Sequence, residues 1–405
     1  MIVRMLMLAL TLSAVIDRAP VLDRIGALLV ERYVDEDAAK RCAAHLKNEA
    51  ARFNIENDAQ FAEAITSELR TVCDDRHFEL IVQKPQTAPS APEAPNAWIE
   101  PLRQRNNDFN AVRRLPGNVG YLELLSFPPP DVAGTTAAGA MNFLSATDAV
   151  IIDLRRNSGG TGDMVTFLAT YFFERQTALA NTIRRAQGTI TADRTLPWVP
   201  GPRMTSQDLF ILTSRGTFSA AEAFAFVLQS LKRATIVGEQ TKGGGNAGRY
   251  VDVVPPFRLF VPNAHPVSAA TGESWDKVGV KPDIAIDARD ALASAHAEAV
   301  RRLIAKTKDA ERKRELEWVL DALAPAPLPV NASELAGTYA KHRIRFDRGQ
   351  LWLSTDDGAE RALIPLANGQ FAIEGIEHRR IEFRDRALVL HSSDGRDDYI
   401  ERQPR

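Results

Sequence analysis

Cysteine is scarce: Cys42 and Cys73 are the only two in 405 residues, which excludes a cysteine-rich zinc site and any CxxC redox pair. Charge of one sign is lacking too. Lys and Arg total 50 against 52 Asp and Glu, a net charge of −2 with no basic run, so nucleic acid is not expected as a main partner. No apolar run reaches the ~20 residues that a membrane helix needs, and no stable membrane span is expected. Short nucleotide-binding and hydrolase motifs are missing as well. Lys242 is followed by Gly243-Gly244-Gly245 with no hydroxyl residue, so there is no Walker loop. Gly160-Thr161-Gly162 does not complete a GxGxxG fingerprint, and no GxSxG elbow occurs.

What remains is an ordinary globular composition, 45% hydrophobic and 25% charged, with length for two to three domains at ~150 residues each. Residues 5–15 form an apolar stretch preceded by Arg4, followed by Asp17 and Arg18, with small residues Ser13 and Ala14 near its end. This is the outline of a secretory signal within residues 1–20, whose apolar region spans ~7–15 residues. A periplasmic or secreted location follows. The alternative is a cytoplasmic protein whose first amphipathic helix begins here. The cysteines depend on the same choice: a single disulfide between helices in an oxidising compartment, or two buried thiols in the cytosol. Sequence alone does not give their separation.

Between residues 21 and 84 the apolar residues recur at helical spacing. Leu22, Ile25, Leu28 and Leu29 mark one helix, residues 39–53 a second, and Phe61, Ile65 and Leu69 a third, with a short strand at 77–82. Pro85, Pro89, Pro92 and Pro95 then mark a linker, taken as 85–115. Residues 116–323 alternate strands (119–125, 149–154, 209–213, 235–237) with helices (137–144, 164–173, 219–232), the pattern of an α/β core. A single long helical pattern fills 288–323. After a proline-rich boundary the period changes to two, and residues 330–405 read as a small antiparallel β domain.

Three segments carry candidate chemistry. In Thr217-Phe218-Ser219-Ala220-Ala221-Glu222, a serine sits at a helix N-terminus, where unpaired amides and the helix dipole favour developing negative charge. Ser219-x-x-Glu222 is equally a capping box, in which the serine merely starts its helix. His77 differs from the other histidines because it follows Asp74-Asp75 at a helix–strand junction, although a structural role explains it as well. Asp153-Leu154-Arg155-Arg156-Asn157-Ser158-Gly159-Gly160 takes a buried strand into a glycine turn able to aim backbone amides at a ligand.

In order along the chain, these segments resemble the tail-specific (C-terminal processing) serine peptidase family, in the branch of the interphotoreceptor retinoid-binding-protein repeats and the tricorn protease core. Asp75-Arg76-His77-Phe78, Gly238-Glu239-Gln240-Thr241-Lys242-Gly243-Gly244 and Trp275-Asp276-Lys277-Val278-Gly279-Val280-Lys281-Pro282-Asp283-Ile284 join the serine and glycine segments in carrying the resemblance, over about residues 21–287. It implies a ClpP/crotonase-like core of ββα units with an N-terminal helical lead-in. It makes Ser219 the nucleophile, His77 the general base, Asp276 the orienting carboxylate, and the amides of Gly160 and Ala220 the oxyanion hole. The position of Asp276 is usually glutamate in this branch, so either a backbone shift supplies the missing reach or Glu273 serves instead. The Ser/Lys dyad of the bacterial processing branch is disfavoured, because the corresponding turn reads Gly243-Gly244-Gly245 and Lys242 precedes it. Only a short proline-containing stretch separates the lead-in from the core, with no space for a PDZ-like module.

The expected activity is therefore peptide hydrolysis through an acyl-enzyme, on a peptide or protein substrate, with no metal or organic cofactor. The alternative is a non-catalytic binding protein using the same cleft for an apolar ligand or peptide. Oligomeric state is not legible.

Overall fold

The computed structural model describes residues 17–83, 99–354, 358–385 and 387–404. The apolar stretch 5–15 and the prolines at 85–95 lie outside the described residues. Two compact units are threaded through the chain. One collects the residues up to Glu100 with Thr177–Arg194 and Lys242–Gly279; the other takes Pro101–Gln176, Thr195–Thr241 and Val280–Arg405.

In the first unit the three expected helices form as Ala19–Arg32, Glu36–Asn48 and Asp58–Val72. Asp35 and Asn57 start the second and third by accepting the amides of Ala38 and Gln60. The helical stripe Ile25, Leu29, Phe61, Ile65 and Leu69 is buried, against Phe257, Leu259 and Val261 of a long strand. Each such side chain contributes ~1.5–3 kcal/mol relative to exposure. That strand, Phe257–Ser268, pairs antiparallel with Glu79–Val82, Ala247–Asp252 and Ala178–Arg184, and the last forms a hairpin with Thr189–Arg194. None of these strands except the first of its partners is apparent in the sequence, where two prolines interrupt the long strand and the second arm of the hairpin is exposed.

Cys42 and Cys73 are joined as a disulfide with Cα atoms 5.8 Å apart, tying the second helix to the end of the third. Closing a loop of 31 residues should stabilise this unit by about 3 kcal/mol. Reduction is therefore expected to lower the urea midpoint measurably, and identical midpoints with and without reductant would rule the bond out.

The second unit has a six-stranded sheet in the order Ile284–Ala285, Ala234–Gly238, Asp208–Thr213, Ala149–Asp153, Val119–Leu124, Phe109–Leu115. All neighbours are parallel except the final hairpin. Val119, Tyr121, Ala149, Ile151, Phe210 and Leu212 face one side, sealed by the helices Ala291–Lys306 and Ala310–Ala322. The residues alternating with them, Leu122, Val150, Ile152, Leu209 and Ile211, are buried too, as a two-faced parallel sheet requires. Two expectations are corrected. Residues 109–115, assigned to a linker, form an edge strand, and the single helix over 288–323 is two helices, the second begun by Asp309 accepting the amide of Arg312.

The C-terminal domain is an antiparallel sheet of eight strands in chain order from Gly337–Tyr339 to Asp397–Glu401. Tyr339 also bridges Arg402, and Gln403 N donates to Thr338 O at 2.8 Å, so the first strand meets the last and the sheet closes. Its interior is filled by Ile344, Leu351, Leu363, Phe371, Ile381 and Leu388. Arg380 fixes the sheet to the adjacent helix, bonded to Asp321 at 2.9 Å and lying over the Trp318 ring.

Candidate active site

The serine half of the site is built where two buried parallel strands end side by side. After Asp208–Thr213, the turn is held to the neighbouring strand's end: Thr217 Oγ1 donates to Leu154 O at 2.8 Å, Ser214 Oγ to Arg155 O at 2.6 Å, and Phe218 N to Asn157 O at 3.1 Å. Ser219 then adopts φ 55° and ψ −120°, a conformation costing a non-glycine residue ~1–3 kcal/mol, before Ala220–Ser230 becomes helical. Strain of this kind persists only where surrounding bonds hold it. The carboxylate of the capping box is one of them: Ser219 N donates to Glu222 Oε2 at 2.8 Å. Glu222 is completely buried, and its other oxygen accepts from Thr241 Oγ1 at 2.5 Å.

Against this turn lies the glycine turn. A Cβ on Gly159 would come 2.8 Å from Ser219 Cβ and 3.1 Å from Ala220 N, and one on Gly160 would come 2.1 Å from Phe127 O. Both glycines also have positive φ, 113° and 143°, so no other residue fits. Phe127 N donates to Gly159 O and Thr161 N to Phe127 O, which leaves the amide of Gly160 between them unused. Ala220, as the first helical residue, has no intrahelical acceptor either. Among the described residues, neither the Gly160 N–H nor the Ala220 N–H has an internal acceptor.

His77 and Asp276 belong to the first unit, and the structure adds a residue between them that the sequence reading passed over. Asp75 Oδ1 accepts the His77 amide at 3.0 Å and faces His77 Nδ1 at 3.2 Å; the two side chains are only 1% and 7% exposed. Asp75 Oδ2 accepts from Tyr33 Oη at 3.2 Å and Asn246 Nδ2 at 2.9 Å. Burial acts to raise the Asp75 carboxyl, but these donors and the imidazole outweigh it and hold the carboxyl below its ordinary range.

Asp276 is placed one residue further out. Its Oδ1 accepts the Gly245 amide at 2.9 Å and its Oδ2 accepts Asn246 Nδ2 at 3.1 Å, while His265 Nδ1 lies 2.7 Å from Asn246 Oδ1. Burial raises the Asp276 carboxyl, the Gly245 amide opposing and the Asp75 charge reinforcing the shift. The glycine run explains how Asp276 is held: Trp275 Nε1 donates to Gly244 O and Lys277 N to Gly243 O, both at 2.9 Å. A cavity of about 270 Å³ opens onto Asn246, His265 and Asp276. Glu273 and Lys242 are exposed.

Of the five residues singled out from sequence, Ser219, Gly160 and Ala220 thus meet in one unit, and His77 and Asp276 lie in the other, joined through Asp75 and Asn246. Asp75 had a signal, its spacing of two residues before the imidazole. Asn246 had none.

A strained serine at a strand-to-helix turn, beside two amides without acceptors, is the arrangement that serine hydrolases use to carry an oxyanion. Residues 118–286 match the family model "Peptidase family S41". The chain is 26% identical over 178 residues to the carboxy-terminal-processing protease of Bartonella bacilliformis, covering 43% of this chain and 40% of that protein. It is 34% identical over 134 residues to the carboxyl-terminal-processing protease of Synechocystis sp., covering 32% and 29%. The chain therefore matches less than half the length of these curated relatives. Among solved structures it is similar to a photosystem II D1 C-terminal processing protease, with a TM-score of 0.45 and 18% identity over 67% of this chain and 93% of that one. Among the described residues no helix is long and apolar enough to cross a membrane.

Proposed function

We propose that the protein is a serine peptidase that hydrolyses peptide bonds of a peptide or protein substrate through an acyl-enzyme. Ser219 Oγ attacks the scissile carbonyl while His77 Nε2 takes its proton. The carbonyl oxygen, now negative, is received by the amides of Gly160 and Ala220. The intermediate collapses when His77 returns the proton to the departing amine, and water, deprotonated by His77, then hydrolyses the ester. Asp75, accepting from Nδ1, sets the tautomer that exposes Nε2 as base; Asp276 acts on it only through Asn246. The arrangement of a parallel sheet with its strand ends feeding glycine and serine turns fits a ClpP/crotonase-like core. The Cys42–Cys73 bond fits an exported, periplasmic or secreted protein.

The observation that carries this reading is the pair of acceptor-free amides flanking a serine held at positive φ. A helix cap alone needs neither the strain nor the second amide. The test is labelling with a fluorophosphonate probe. Covalent label on Ser219, lost in His77→Ala, is expected; a folded protein that takes no label and retains a copurified apolar ligand would favour the binding-protein alternative.

A further inference from the structure

Asn157 is completely buried, and each of its polar groups is used on a different element. Its Nδ2 donates to Leu124 O at 2.9 Å, at the end of one strand. Its Oδ1 accepts the Gly159 amide at 2.9 Å, in the glycine turn. Its carbonyl accepts the Phe218 amide at 3.1 Å, one residue before Ser219, and its own amide donates to Leu154 O at 3.0 Å. The side chain and main chain of one residue therefore connect both turns to the sheet beneath them.

We propose that Asn157 is the positioning residue of the oxyanion site, fixing the Gly160 amide relative to Ser219 and the Ala220 amide. The inference rests on the peptidase reading and deepens it. Gly159 and Gly160 have no side chains with which to hold themselves, and both sit at φ values open to glycine alone, so their turn is set by its neighbours' bonds. On the side facing the serine turn, the bond from Gly159 N to Asn157 Oδ1 is the tie, and the Phe218-to-Asn157 bond locks the serine turn to the same residue. Asn157 acts through the Gly159 and Phe218 amides that it holds. Asparagine is needed because the site asks for an acceptor and a donor on one short planar group: aspartate lacks the donor for Leu124 O, and serine is too short to serve both.

Loss of this residue should weaken stabilisation of the oxyanion and spare binding of the uncleaved substrate. In Asn157→Ala, kcat should fall ~10²-fold, as for loss of one oxyanion donor, with KM within about twofold. Affinity for a peptide aldehyde, whose adduct with Ser219 places an oxyanion between the amides, should fall by the same factor. Binding of the intact peptide to Ser219→Ala should be the same with and without Asn157→Ala. Should the alanine form not fold, Asn157→Ser, whose hydroxyl is too short to serve both partners, gives the same comparison with a smaller loss of ~10-fold. Aldehyde affinity that stays at the wild-type value while kcat falls, or kcat unchanged in a folded variant, would overturn the proposal. A wild-type protein that forms no aldehyde adduct and hydrolyses nothing would instead remove the peptidase reading itself.

Discussion

Alanine at position 219 should leave a folded protein whose peptide hydrolysis is lower by a factor on the order of 10⁶ in kcat, the loss seen when a serine peptidase is deprived of its nucleophile. The substitution is mild for the fold. The backbone strain at φ 55° is the same for alanine as for serine, and the bond from residue 219 N to Glu222 is a main-chain one. Melting temperature should fall only by what the loss of the Ser219 side-chain cap on the Glu222 amide costs, about 0.5–2 kcal/mol, while covalent labelling by a fluorophosphonate vanishes. Hydrolysis that survives in purified Ser219→Ala at more than about a thousandth of the wild-type rate would show that another group attacks, since the oxyanion site and binding alone sustain only ~10³–10⁴ over water.

The second large effect discriminates between the two aspartates. Asp75→Asn should lower kcat by ~10⁴, because an amide facing Nδ1 no longer demands the tautomer that leaves Nε2 basic. Asp276→Asn should cost far less, about tenfold, the range of a lost second-layer hydrogen bond. Its oxygens meet Gly245 N and Asn246, and burial already favours its neutral form more than usual. A reversed ranking would return the orienting role to Asp276. The same pair differs in pH dependence. The folded-state pKa of Asp75 lies below the ordinary carboxylate range, so its charge stabilises the fold above that range, and this contribution is lost as pH falls through the lowered value. Asp75→Asn should flatten the stability curve of the protein at acid pH, below the ordinary carboxylate range, measured as melting temperature against pH.

Much of the candidate site was legible because its residues sit in local patterns. Ser219 lies between an apolar strand and an amphipathic helix, the turn holding Gly160 follows an all-buried strand, and Asp75 and His77 share one turn, so each segment is read from its own stretch of chain. The acid network was not, since Asp75, Asn246, His265 and Asp276 come together only when Glu79–Val82 pairs with Phe257–Ser268 and the glycine run packs on Trp275. Periodicity likewise showed the C-terminal strands but not their closure, which depends on a first strand of three residues, Gly337–Tyr339. The split at Thr307-Lys308-Asp309 carries no proline or glycine, and only the cap on Arg312 N marks it.

The threading of the first unit has a consequence for the order of events during synthesis. Its helices leave the ribosome first, yet Phe257, Leu259 and Val261, which complete their core, and Asn246, which braces Asp75, emerge only after most of the other unit's sheet. A nascent chain therefore carries its serine turn well before its imidazole has a fixed orientation. The bracing of the imidazole waits on residues made after the serine turn.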